Sequence, residues 1–137
     1  MLKRLLLFYC CIIVLSVNAQ DKNAKPRPED EIRKFYLVML KTGANRTHDS
    51  ATAARIQQQH LDNINRLYYD GKIKVAGPFG KNPHWAGLFI FDVPTEEEVK
   101  LLLQTDPAIS SGRLAYEIFP WYTAPIGSFI PGKPKKD

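Results

Sequence analysis

Cysteine is almost missing from this 137-residue sequence: Cys10 and Cys11 stand side by side near the start, and no other follows. If the first segment is removed, no cysteine is left to form a disulfide framework or act as a nucleophile. Histidine is also scarce. His48, His60 and His84 show no pairing at a spacing that would hold a metal ion, so no metal site and no cofactor are expected. The chain lacks a phosphate-cradling glycine loop, because "GPFG" does not have the spacing of one. It has no apolar run of the roughly 20 residues needed to cross a bilayer. Charge of one sign is not concentrated either. Basic residues alternate with acidic ones and no aromatic-interleaved basic stripe occurs, which argues against nucleic-acid binding despite a sequence pI of 9.2.

The segment that carries both cysteines has its own logic. Lys3 and Arg4 precede the 13-residue apolar stretch "LLLFYCCIIVLSV", which ends at Val17-Asn18-Ala19. A basic start, a short apolar core and small residues at the boundary describe a secretory signal peptide, residues 1–19, cleaved after Ala19. The expected location is periplasmic or secreted, with no stable membrane anchor after cleavage. Losing Lys3 and Arg4 lowers the formal charge from +5 to +3.

Residues 20–32 are polar, contain Pro26 and Pro28 and show no apolar period, so they read as a flexible leader. Residues 124–137, with "PGKPKKD", form a tail. Between them, residues 33–123 make one domain near the lower range for a core that folds alone.

The domain reads as six elements. "RKFYLVMLK" (33–41) is short and rich in aromatic and branched residues, as a strand is. In 52–70, Ala53, Ile56, His60, Ile64 and Leu67 recur at three- and four-residue steps and define one helix face with His60 at its centre. "YDGKI" ends that helix at a glycine, "KIKVA" alternates as a strand, and "WAGLFIFDV" (85–93) is apolar enough for a central strand. Thr95 and Glu98 form a capping box for a second helix starting near Glu96, which Asp106-Pro107 is expected to stop. "RLAYEIFPWYT" (113–123) is the last strand. The order β-α-β-β-α-β is the α+β, ferredoxin-like arrangement, an antiparallel sheet with both helices on one face. Apolar residues on both faces of the strands leave an uncovered face, so a homodimer is expected, packed sheet to sheet or along the last strand and tail.

In this topology the first half of the first helix and Asp106 reach the same edge of the sheet, so His60 and Asp106 are candidates for contact. A carboxylate that fixes the imidazole tautomer and stabilises its cation leaves the other ring nitrogen free as a base. The same pattern also fits a histidine buried for packing and satisfied by a backbone carbonyl, with Asp106 merely the residue of an Asp-Pro stop. Phe79, Trp85 and Tyr122 are aromatic candidates for a pocket wall.

A helical histidine eleven residues before the glycine of "DGKIKVAGPF", followed by "GLFIFDVPTEEEVKLLL" and "TDPAISSGRLAYEIFPW", resembles the YCII-related family of the dimeric α/β-barrel superfamily over residues 33–123. The resemblance implies a ferredoxin-like dimer with a pocket in each subunit and an active pair formed by His60 and Asp106. It also matches Gly77 and Pro78 to the family's Gly-Pro after the second strand. The stretch "RIQQQ" departs from the arginine- and proline-containing approach expected there. The resulting expectation is a cofactor-independent lyase or isomerase acting on a small organic substrate, with a non-catalytic small-ligand-binding or structural homodimer as the alternative.

Overall fold

The computed structural model describes residues 27–124. The expected signal peptide, most of the leader and all of the tail after Ala124 lie outside them. Within the leader, Pro28–Glu31 forms one 3-10 turn beside an Arg27–Asp30 ion pair on the surface.

Seven elements follow: β1 (Arg33–Thr42), α1 (Ser50–Tyr69), β2 (Ile73–Pro78), β3 (Gly87–Phe91), α2 (Glu96–Gln104), α3 (Pro107–Ser110) and β4 (Leu114–Thr123). The sheet is antiparallel with strand order β2-β3-β1-β4. This is the expected ferredoxin-like arrangement.

Strand alternation sorts the side chains into two layers. Tyr36, Val38 and Leu40 of β1 face the helices together with Phe89 and Phe91 of β3, and all five are buried. Leu67, Val99, Leu103 and Ile109 close this core from the helical side. The opposite face carries Leu37, Met39, Leu88 and Ile90, half-buried, with Phe119 and Trp121 at 44% and 40% exposure. Their pairings, Leu37 with Ile90 and with Phe119, make one continuous apolar surface.

Local chemistry sets the helix ends. Asp49 caps α1 by accepting from the Thr52 backbone N–H at 2.8 Å, and Gly71, at φ 72°, turns the chain out of it at little steric cost. Thr95 caps α2 through the Glu98 N–H. The buried stripe of α1 is Ile56, His60, Asn63 and Leu67, with Ile64 half-buried beside it. Asn63 was not expected there. It is retained because its side-chain oxygen accepts hydrogen bonds from Arg66 and from the Thr105 hydroxyl, joining α1 to the end of α2.

The largest departure from the sequence-based expectation is α3. Pro107 does not simply end a helix; it occupies the first turn of the next one, where a missing N–H costs nothing. Asp106 is the N-cap of that turn and its side chain accepts from the Ala108 N–H at 2.8 Å. At the far end Gly112 has φ 74°, and its carbonyl passes so close to Gly43 that a Cβ there would lie 2.1 Å away. Asn45 spans the same crossing by donating to the Ser111 carbonyl.

Candidate active site

Because α3 packs against α1, the side chain of Asp106 is carried inward to meet His60. The imidazole Nδ1 lies 2.6 Å from Asp106 Oδ2, within hydrogen-bond distance. Both residues are buried, at 7% and 1% exposure. The two carboxylate oxygens divide the work, Oδ1 capping α3 and Oδ2 receiving the imidazole. With a carboxylate as acceptor, a bond of this length places the ring N–H on Nδ1 and holds the plane of the ring. The partner of His60 is therefore a carboxylate and not the backbone carbonyl that the packing-only reading anticipates.

On its other side, His60 borders a cavity of about 340 Å³ between α1 and the sheet. Phe89, whose ring centroid lies 6.1 Å from that of the imidazole, forms part of its wall with Leu40, Leu114 and Ile64. Ala76, Gly77 and Pro78 of β2 and Ala86 and Gly87 at the start of β3 complete it with backbone and small side chains. Gln57 and Leu61, both exposed, stand at its mouth. Asp106 does not border the cavity, so the imidazole stands between carboxylate and cavity, and Nε2 has no protein hydrogen-bond partner among the described residues.

The expected residues divide accordingly. His60, Gly77 and Pro78 line the cavity, and Asp106 lies behind it on His60. The three aromatic candidates do not line it. Phe79, just past the end of β2, is 37% exposed and is not among the residues that border the cavity. Trp85 is half-buried in a turn held by the Asn82 side chain, and its neighbour Ala86 takes the wall position. Tyr122 pairs with Lys34 at the start of β1, whereas the cavity touches Leu40 near its end, roughly 20 Å away at 3.4 Å per residue. Aromatic character alone is a poor guide to a wall built from small residues.

Gln57 was not anticipated as a site residue. It lies three positions before His60, a spacing that puts both on one helix face, and that was the available signal. Among the described residues no group of three His, Cys, Asp or Glu side chains is placed to hold a metal ion, and no helix is long and apolar enough to cross a membrane.

Sheet order and helix placement define an α+β, ferredoxin-like domain with a cavity beneath its first helix. Within that class the assignment is direct: the profile of the YCII-related domain matches residues 34–122, and the chain belongs to that family. The fold is similar to that of muconolactone isomerase, with a TM-score of 0.54 and 18% identity, covering 72% of this chain and 99% of that one. A second similar structure is 5-chloro-2-hydroxyhydroquinone dehydrochlorinase (TftG) from Burkholderia phenoliruptrix AC1100, in complex with 2,5-dihydroxybenzoquinone. It gives a TM-score of 0.48 at 21% identity, covering 64% of this chain and 92% of that one. No curated protein matches by sequence.

Proposed function

We propose that this chain is an exported, cofactor-independent enzyme of the lyase or isomerase kind, in which His60 moves a proton on a small organic substrate held in the cavity. The observation that carries the reading is the 2.6 Å bond between two buried side chains, His60 on the wall of a largely apolar cavity and Asp106 behind it. With Nδ1–H committed to the carboxylate, Nε2 is the nitrogen that accepts a proton from substrate carbon or oxygen. Asp106 then neutralises the imidazolium, and the same nitrogen returns the proton to a second substrate atom or to a leaving group.

The working unit in this proposal is a homodimer. The apolar face of the sheet away from the helices needs a cover, and a second copy provides a matching surface. Leu37→Glu, at the centre of that face, is expected to convert a particle of twice the chain mass to one of single mass in sedimentation. A wild-type protein that is monomeric at micromolar concentration would count against the dimer. Export rests on the first 19 residues, and an intact mass beginning at Gln20 is the expected result; retention of Cys10 and Cys11 would refute it.

One observation favours a non-catalytic ligand-binding dimer as the second reading: Asp106 already serves as the cap of α3. The two are separated by screening cyclic lactones and hydroxylated ring compounds for product formation, then combining His60→Asn with Asp106→Asn. A shared catalytic unit gives losses in kcat/KM that are strongly non-additive. Binding without product across the screen, with additive effects on stability alone, would favour the non-catalytic reading.

A further inference from the structure

We infer that the site selects an uncharged, single-ring molecule over its carboxylate counterpart, and that Gln57 at the cavity mouth is the residue that sets this preference. The inference rests on the placement of the site just proposed and adds the class of ligand it takes.

Size comes first. A cavity of about 150 Å³ lined by apolar side chains is large enough to bind benzene. The present one, at about 340 Å³, holds one substituted ring with room for its substituents.

Charge comes second. No lysine or arginine is among the residues that line the cavity. The titratable side chain on its wall, His60, offers no surplus positive charge, because its Nδ1 is bonded to the Asp106 carboxylate. A protonated ring is neutralised by that carboxylate, and a neutral ring leaves the pair with one negative charge. A ligand carboxylate pressed against His60 would thus lose its hydration without gaining a cation, a large penalty at an apolar wall. The ligand atom that meets Nε2 is uncharged.

Polarity at the mouth comes third. Among the lining side chains other than His60, Gln57 is the one with hydrogen-bonding atoms, an amide with two donors and an acceptor. Residues three apart on a helix have Cβ atoms about 5–6 Å from each other. A ring with one polar group at His60 and a second across it matches that separation. Gln57 can pair with a hydroxyl, carbonyl or amide there, but it cannot supply a counter-charge.

The test uses an isosteric pair, 4-hydroxybenzamide and 4-hydroxybenzoate, with the full mature protein and dissociation constants read by ligand-observed NMR. The wild-type protein is expected to bind the amide at least tenfold more tightly than the carboxylate. Gln57→Arg, a substitution by a good helix former at an exposed position, should reverse the order by favouring the carboxylate at the mouth. Gln57→Leu should weaken the amide and leave the carboxylate weak. Equal affinities in the wild type, a ratio unmoved by Gln57→Arg, or no binding of either probe at millimolar concentration would overturn the inference. Because the readout is a binding ratio, it stands or falls separately from turnover: His60→Asn abolishing catalysis with no charge preference would sink this inference alone, and a preference without catalysis would sink only the proposed reaction.

Discussion

Replacing His60 by asparagine and by alanine should give sharply different stabilities, and the difference follows from which ring nitrogen is engaged. Nδ1 is attached to Cγ of the imidazole, and the asparagine amide nitrogen is likewise attached to Cγ, so asparagine can keep an N–H pointed at Asp106 Oδ2. The donor is retained, the outer nitrogen is lost, and the expected cost is within about 1 kcal/mol. Alanine removes the donor altogether. A hydrogen bond to a charged group contributes about 1.5–3 kcal/mol, and Asp106, at 1% exposure, would be left with the Ala108 N–H as its remaining side-chain partner. Adding the lost packing against Phe89 brings the expected cost to roughly 3 kcal/mol. For a domain of this size each kcal/mol lowers Tm by about 4–8 °C, so alanine should lower it by at least 10 °C or so while asparagine lowers it by a few degrees. Thermal unfolding followed by circular dichroism is sufficient. Equal losses for the two variants, or a loss below about 1 kcal/mol for alanine, would refute the argument that the buried bond runs through Nδ1.

Two glycines of the cavity wall should differ sharply in their tolerance of a side chain. A Cβ at Gly87 would lie 2.6 Å from the Gly77 carbonyl oxygen, so Gly87→Ala should cost about 2 kcal/mol in denaturant unfolding; a Cβ at Gly77 meets nothing within 4 Å, and Gly77→Ala should stay within about 0.5 kcal/mol. Asp92 supplies a pH test, because the Arg33 guanidinium, donating at 2.8 Å, and then Lys74 hold its carboxyl below the usual aspartate range. A carboxyl with a lowered folded-state value contributes its stabilisation in full above the unfolded value of about 3.9 and loses it as pH falls through the folded one. The stability difference between wild type and Asp92→Asn should therefore be flat from roughly pH 5 to 8, at about 0.5 kcal/mol after solvent screening, and should shrink below about pH 4. A difference that grows on acidification would contradict this assignment.

Much of the fold is written locally. Alternation in "RKFYLVMLK" and "RLAYEIFPWYT", the Thr95–Glu98 box and the glycine after α1 each act over a few residues, and local rules read them. The centre of the site was legible for the same reason: His60 falls in the middle of an apolar helical stripe, an expensive place for a polar ring without a partner. Asn63 was missed because a polar residue on that stripe is explained only by Thr105 and Arg66, one of them 42 positions away in sequence. The turn α3 was missed because Asp-Pro is a stop from the viewpoint of the helix before it and a cap plus first residue from the viewpoint of the helix after it. The position of Tyr122 could have been deduced, since an antiparallel β4 must bring its last residues to the first residues of β1. The cavity wall was hidden for a different reason: it is built from small residues whose side chains carry no chemical signal of their own.

Asp106 is expected to hold the proton of the uncharged imidazole on Nδ1 and to leave Nε2 bare at the cavity. Long-range nitrogen–proton correlation NMR on the His60 ring reads this directly. Expected for the neutral ring are a protonated Nδ1 whose proton exchanges slowly with water and an unprotonated Nε2, with that preference lost in Asp106→Ala. A neutral ring protonated on Nε2, or a tautomer ratio that Asp106→Ala does not change, would contradict it.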